Sequence, residues 1–309
     1  MIVIVNKYSG GGTALKKWQQ ISQTLNLNNG STETFYIGTD GSANEFILNA
    51  LNNGKTDFVI AGGDGSINYF LNHIINLVEP EILKEVRIGA VGIGSSNDFH
   101  KPFSQKNLLE KVPFKLNFEG AILRDVGCLV YKKGKSFFKK YFLINASIGV
   151  TAEGNNSFNN PDFILRYLKK FNTQLAITYA AIKNILTYKN FIASVKINGI
   201  KFNASISNVG ITKSPFFTGK LRYPSDPIIN DSYFDVHLYQ SLPKLKLLKL
   251  FYTLSKGMTD NLFNNKFWKT ERINISSEKE FAVEFDGEVI STKSAEFSVI
   301  PRLLKVCTN

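Results

Sequence analysis

The residues with the most chemistry in them fall in three short turns rich in glycine, serine and asparagine. Gly62-Gly63-Asp64-Gly65-Ser66 follows the apolar run Asp57–Ala61 and precedes a helical pattern from Ile67 to Val78. Glycines at a strand-to-helix turn let backbone N–H groups and the helix N-terminus close on an anion. Asp64 would be repelled by bare phosphate, so its presence there implies a metal ion between the two. The plain alternative is a flexible turn with Ser66 as a helix N-cap. A second turn, Asn6-Lys7-Tyr8-Ser9-Gly10-Gly11-Gly12, follows the first apolar run, and a third, Gly92-Ile93-Gly94-Ser95-Ser96-Asn97-Asp98, follows Arg87–Val91. Each alone is a weak signal, because turns favour these residues. Three of them after successive strands would line one crevice with amides and hydroxyls. No turn ends in Gly-Lys-Ser/Thr, and none is Gly-x-Gly-x-x-Gly with a ribose-binding acid downstream, so neither a Walker A loop nor a dinucleotide fingerprint is present.

Other chemistries find little support. Cys128 and Cys307 lie far apart, outside any Cys-x-x-Cys pair, and His73, His100 and His237 form no metal-ligand spacing. The 309 residues carry a net charge of +12, which attracts nucleic acid or anionic lipid. No zinc finger, RNP aromatic pattern or helix-turn-helix accompanies that charge, so no nucleic-acid partner is expected. No apolar run approaches the roughly 20 residues of a membrane span, and the N-terminus lacks the pattern of a signal peptide. A cytoplasmic protein is the expectation.

The elements that must position the turns are legible as an alternation. Strands at Met1–Val5, Glu33–Ile37, Asp57–Ala61 and Val86–Val91 alternate with helices at Ala14–Leu27, Ala43–Asn52 and Ile67–Val78. This predicts a doubly wound α/β lobe over residues 1–122, with ligands beyond the C-terminal strand ends where the turns fall. From 123 to 298 the texture changes to strands with few helices: Tyr141–Val150, Phe191–Asn198, Lys201–Val209, Phe234–Tyr239, Arg272–Ser276 and Phe281–Phe285. Alternating polarity in several of these predicts an antiparallel β-sandwich lobe. Helical patterns at Pro161–Tyr188 and Leu242–Met258 interrupt it, and the segment from about 299 to 309 is a candidate to return to the first lobe. On Leu242–Met258, Leu247, Leu250, Phe251 and Leu254 share one face and Lys246, Lys249 and Lys256 the other, as either a packed helix or a basic membrane face.

Together the three turns resemble the catalytic domain of the diacylglycerol kinase family, bacterial soluble lipid kinases related to sphingosine and ceramide kinases. That family carries N-P-x-S-G, G-G-D-G-T and G-T-x-N-D-F-A-R in this order. Here stand Asn6 with Ser9-Gly10, Gly62 to Ser66, and Gly94-Ser95-Ser96-Asn97-Asp98-Phe99. The likeness extends to Arg124-Asp125-Val126-Gly127, Ile206 to Gly210, and Phe285-Asp286-Gly287-Glu288. It departs at Lys7 in the first turn and Gly92 before the third, where proline is usual, and at His100-Lys101 in place of Ala-Arg.

The resemblance implies ATP and Mg²⁺ at Asn6, Ser9, Gly10, Thr39, Gly62, Gly63, Asp64, Gly65, Ser66, Asn68 and Ser95. For Thr39, the helix-start sequence Gly38-Thr39-Asp40 offers capping as a further explanation. It implies Glu288 as general base, with Asp286 as its partner at the metal and Asp64 in the catalytic set. Read without it, Asp286-Gly287 is a tight hairpin turn beside a solvated glutamate. It also implies a structural magnesium held by Asp231 and the carbonyls of Ile228 and Tyr233, although Ser232 stands where glycine is usual. The implied activity is transfer of the γ-phosphate of ATP to the hydroxyl of a diacylglycerol-like lipid, presented by an anionic membrane that the protein touches peripherally. An NAD kinase-like enzyme and a catalytically inert lipid- or nucleotide-binding module are the alternatives. Oligomeric state, a homodimer included, stays open.

Overall fold

The structure, a computed structural model, describes residues 1–25, 27, 32–38, 42–258 and 265–308. It divides into two compact units, Met1–Asp125 with Pro301–Asn309, and Val126–Ile300. The first unit contains β1 (Ile2–Val5), α1 (Ala14–Ile21), β2 (Glu33–Tyr36), α2 (Ala43–Asn52), β3 (Asp57–Gly62), α3 (Asp64–Leu77), α4 (Pro80–Leu83) and β4 (Arg87–Gly92). Then come β5 (Leu108–Leu109), β6 (Val112–Lys115) and the start of β7 (Asn117–Lys133).

Strands β2, β1, β3 and β4 lie side by side, all parallel, in that order. The inner strands β1, β3 and β4 are apolar almost throughout because both of their faces are covered, whereas the edge strand β2, Glu33-Thr34-Phe35-Tyr36, is mixed. Val3, Val5, Val59, Ala61 and Val91 pack with Ala14, Trp18 and Ile21 of α1. Phe58 points the other way, its ring 5.0 Å from that of Phe70 on α3. The lobe is therefore doubly wound, and the strand order reverses between β1 and β3, the place where such sheets bind ligands. Residues 301–308 add a further parallel strand beside β4, Lys305 opposite Arg87. The buried carboxylate of Asp125 clamps that segment by accepting from the Arg302 N–H at 3.0 Å. Helix α1 ends at Ile21, short of the expected Leu27, and α3 begins at Asp64, three residues before the expected Ile67. Its first turn thus takes in the glycine-rich segment.

The second unit holds the rest of β7, β8 (Ser136–Phe142), β9 (Asn145–Gly149), α5 (Val150–Asn159), α6 (Phe163–Phe171) and α7 (Thr173–Thr187). These are followed by β10 (Phe191–Ile197), β11 (Ile200–Thr212), β12 (Phe216–Phe217), β13 (Leu221–Arg222), β14 (Phe234–Gln240), α8 (Lys244–Ser255), β15 (Asn265–Thr270), β16 (Arg272–Phe285) and β17 (Glu288–Thr308). Long strands β11 and β16 flank β10 at one end, through Val195 with Phe202 and Ile275, and β9 at the other, through Ile148 with Val209 and Val283. All these pairings are antiparallel, and the inward residues, among them Phe142, Ile148, Val209, Phe234, Val283 and Phe297, form one apolar core. This is a β-sandwich-like lobe.

Three differences from the sequence expectation have local causes. Arg272–Ser276 and Phe281–Phe285 are one strand, interrupted by an irregularity where Ser277–Glu280 run polar. Pro161–Tyr188 is two helices, parted at Asn172, whose extended backbone (φ −156°, ψ 109°) ends α6. Helix α5 was not anticipated, because Gly154, Asn155, Asn156 and Asn159 weaken its pattern.

Candidate active site

In the first unit the three turns meet. Gly94 packs on Gly63 so closely that a Cβ on Gly94 would lie 2.4 Å from the Gly63 Cα. Gly10, at φ +60°, packs on the third turn, where a Cβ would lie 2.7 Å from the Ile93 carbonyl oxygen. Close backbone approach, more than flexibility, requires glycine at both positions. The Gly62 carbonyl ties the second turn to the third by accepting from the N–H groups of Ile93 and Gly94 at 3.0 and 3.2 Å.

Ser66 is the node of the side-chain network. Asn6 Nδ2 donates to its Oγ at 2.9 Å, and the Ser9 hydroxyl lies 3.2 Å from the same oxygen. Ser66 is buried inside the first turn of α3 and is not its N-cap; that place belongs to Gly63, which has no side chain to offer. No capping side chain therefore competes for the amides at the start of α3, around Asp64 and Gly65, which leaves the feature that attracts anions. Asn68 lies deeper, buried, with Asn72 Nδ2 donating to its Oδ1 and its carbonyl at 3.1 and 2.9 Å. Ser95 is exposed on the third turn. Thr39 lies outside the described residues.

Asp64 does more than face a ligand. Its Oδ2 accepts from the Asp98 N–H and its Oδ1 from the Phe99 N–H, both at 3.0 Å. The carboxylate thereby locks the third turn onto the N-terminus of α3. Asn97, which has a left-handed backbone (φ 52°), completes the lock: its Nδ2 donates to the carbonyls of Gly92 (2.9 Å) and Gly94 (3.3 Å), and its Oδ1 accepts from the Gly94 N–H. The Asn97 side chain is thus a further positioning residue of the site. Its signal was its type, since asparagine tolerates this conformation better than other residues.

Behind the third turn lies a cationic pocket. Lys115 donates to the Phe99 carbonyl at 3.0 Å, and its ammonium and the Arg124 guanidinium both lie against the Phe99 ring. Burial, with Arg124 nearby, pushes Lys115 down to about 7, and burial with Lys115 nearby pushes the His100 imidazole down to about 3. Asp98 is taken up in a buried ion pair with Lys101 at 2.7 Å. Among the described residues no three acidic, histidine or cysteine side chains gather into a metal cage. The donor set of one carboxylate, Asp64, beside the hydroxyls of Ser66 and Ser9 fits Mg²⁺ that arrives on nucleotide phosphates and keeps waters, not a resident ion.

In the second unit, Asp286 and Gly287 form the tight turn between β16 and β17, both at positive φ (45° and 91°), with Phe285 opposite Glu288. The Asp286 carboxylate is buried and turned inward, accepting from the N–H groups of Leu143 (2.7 Å), Ile144 (3.0 Å) and Asn145 (3.1 Å). This corrects the expectation of Asp286 at a metal: its oxygens fasten the hairpin to the bend between β8 and β9. That bend is also why the expected strand Tyr141–Val150 is broken at Leu143 and Ile144. Glu284, missed because it reads as one polar position of an alternating strand, is buried; its two oxygens accept from the Gly287 N–H and the Ser147 hydroxyl, both at 2.8 Å. Glu288 is exposed at the first position of β17, on a turn that Asp286 and Glu284 hold rigid.

The expected magnesium loop is also corrected. The carbonyls of Ile228 and Tyr233 and the Asp231 carboxylate do converge, but on the ammonium of Lys213, at 2.6, 2.9 and 3.0 Å. Burial pushes the Asp231 carboxyl upward, but the bonds from Lys213, the Tyr233 N–H and Lys269 outweigh it and hold it below the usual range. The residues present do not fit a metal there.

Comparison with known proteins agrees with the fold. Residues 1–120 match the diacylglycerol kinase catalytic domain, and residues 145–308, more than half the chain, match the YegS C-terminal NAD kinase beta sandwich-like domain. The chain belongs to the family that joins these two domains. Three solved structures from Bacillus anthracis strain Sterne, two of candidate diacylglycerol kinases and one of a diacylglycerol kinase, are similar over all of this chain. Their TM-scores are 0.70, 0.69 and 0.63 at 18%, 16% and 14% identity, covering 94%, 96% and 96% of those chains. At such identity the likeness is one of fold. No curated protein matches the chain.

Proposed function

We propose that this diacylglycerol kinase-like protein transfers the γ-phosphoryl group of ATP to the hydroxyl of a diacylglycerol-like lipid at an anionic membrane surface. The observation that carries the reading is the junction of three turns beside an α3 N-terminus that has no side-chain cap: the first two meet on Ser66, and the Asp64 carboxylate bonds the third. Phosphoryl transfer asks a protein chiefly to position phosphates and to meet their charge. The amides of Asp64 and Gly65 and the hydroxyls of Ser9 and Ser66 would take the phosphate oxygens. Magnesium, when bound with the nucleotide, neutralises charge that develops on those oxygens, and Asp64 would hold it by the lone pairs its amide bonds leave over. Glu288, solvent-exposed on a rigid hairpin, would accept the proton of the lipid hydroxyl.

Helix α6 supports presentation by a membrane. Leu165 is buried against Ala176 and Ala180. Phe163, Ile164, Tyr167 and Phe171, spaced along the opposite face, are 83%, 53%, 58% and 69% exposed. Arg166, Lys169 and Lys170 accompany them, which is the composition of a helix that lies in an anionic interface. Helix α8 is less suited, because Leu247, Leu250, Leu254 and Phe251 are consumed by packing.

The test is transfer of label from ATP in the presence of Mg²⁺, with vesicles carrying diacylglycerol, a sphingoid base or ceramide, and with soluble NAD. Label in the diacylglycerol product, rising with the anionic lipid content of the vesicles and falling with salt, is expected. Replacing Phe163 and Phe171 together by serine should weaken vesicle binding by about tenfold or more, since each buried ring contributes on the order of 1.5–3 kcal/mol. Label in NAD, or in no acceptor, overturns the proposal.

A further inference from the structure

We infer that the ammonium of Lys213 is the resident cation of the loop formed by residues 228–233, and that this loop is built without a divalent metal. The loop has the form of a cation site. Tyr233 N–H donates to Asp231 Oδ1 at 3.1 Å across Ser232, which stands at φ 68°, and the carbonyls of Ile228 and Tyr233 converge with that carboxylate on one point. Three oxygens so arranged repel one another unless a positive charge stands among them.

Lys213 supplies that charge from within. Its backbone is fixed at the end of β11: Thr212 pairs with Asp235 on β14 and with Asn145 on β9, and the Lys213 and Ser214 N–H groups both donate to the Ile144 carbonyl at 2.9 Å. The side chain is 0% exposed, and an ammonium so buried requires anionic and carbonyl partners. It has three N–H donors to offer, and the three oxygens stand 2.6, 2.9 and 3.0 Å from Nζ. Those are hydrogen-bond lengths; magnesium needs oxygens at about 2.0–2.1 Å and six of them, calcium about 2.3–2.6 Å and six to eight.

The charges also balance without a metal. Lys269 Nζ lies 3.2 Å from the other oxygen of Asp231 and 3.9 Å from the Asp235 carboxylate, so two lysines stand against two aspartates. A divalent ion added to this set would leave two positive charges in excess in a largely buried place. What the ammonium does for the fold is to join the end of β11 to the entry of β14, which carries Phe234 and Val236 into the core.

The test uses the full chain, stripped with chelator and without nucleotide or lipid, so failure of a kinase assay leaves it untouched. Thermal unfolding is followed in chelator and in excess Mg²⁺ or Ca²⁺ for the wild type, Lys213→Met and Asp231→Asn. The wild-type midpoint is expected to move by less than about 1 °C with either ion, and Lys213→Met to fall by several degrees in chelator and to stay low in both ions. A rise of several degrees in wild type that Asp231→Asn abolishes would overturn the inference, as would Lys213→Met melting with the wild type in chelator. Should Lys213→Met not fold, the wild-type and Asp231→Asn melts decide alone.

Discussion

The glycine turns of the first unit and the 228–233 loop of the second solve opposite problems with similar material. Each gathers main-chain groups from a short irregular segment around one point. In the first unit the gathered groups are donors, the amides at the start of α3 and the hydroxyls of Ser9 and Ser66, and no side chain caps the helix. In the second they are acceptors, two carbonyls and a carboxylate, and the protein's own Lys213 fills the place. A polar turn becomes a binding site only when the surrounding fold withholds the complementary charge. The carboxylates of the two regions teach the same lesson, since Asp64 and Asp286 both grip backbone amides, two in the first case and three in the second.

That comparison breaks most sharply at Glu288. If the acidic hairpin is rigid so that one exposed carboxylate can act as base, Glu288→Gln should lower kcat by about 10²–10⁴-fold with ATP binding and melting temperature unchanged. An unchanged kcat would reduce the hairpin to a turn. Next in size comes Asp286→Asn. Three amides of a buried bend would lose a charged acceptor, so a destabilisation of about 3–5 kcal/mol is expected, read from urea unfolding. Asp64→Asn deprives two amides at a half-buried place, and about 1–3 kcal/mol is expected, together with weaker ATP binding as the third turn loosens. If Asp64→Asn proved the costlier for stability, the ranking of the two anchors by burial would be wrong.

How much of this was legible follows from the range of each interaction. The alternation of strands and helices, the parallel sheet and the turns at the strand ends are local patterns, and the doubly wound lobe follows from them. Helix α3 starts earlier than its apolar period because a glycine-rich first turn carries no such period. The longer-range features were not readable. Asp64 meets amides 34 and 35 residues away, and Asp286 meets amides more than 140 residues away. Nothing in Asn230–Asp235 announces Lys213, which lies 18 residues before Asp231 at the end of a different strand. The metal expectation came with the family resemblance of Asn230–Asp235, and a likeness confined to that loop does not register a cation on another strand.

The smallest expected effect compares the buried histidines of the two units. His237 has a partner, with Nε2 2.8 Å from the Ser225 hydroxyl, whereas neither ring nitrogen of His100 has a hydrogen bond. Burial pushes His237 down to about 4, and burial with Lys115 nearby pushes His100 down to about 3. The ordinary value is about 6.5, so between pH 6.5 and pH 3 the unfolded chain binds the His100 proton and the folded chain does not. Stability associated with His100 is therefore complete above pH 6.5 and is lost as pH falls toward 3. At pH 5 the deficit from this one residue is about 2 kcal/mol relative to neutral pH, from 1.36 kcal/mol for each unit of pH below 6.5. Phenylalanine keeps a flat ring in the pocket beside Phe99 and cannot take a proton. His100→Phe should thus remove that part of the acid sensitivity, with the gap in urea midpoint between pH 7.5 and pH 5 narrowing by about the corresponding amount. His237→Phe should narrow it too, but at neutral pH it should also cost about 1 kcal/mol for the lost bond to Ser225. An acid profile of His100→Phe that overlays the wild type would show that the imidazole finds a way to charge in the folded protein, and that the pocket of Phe99, Lys115 and Arg124 opens on acidification.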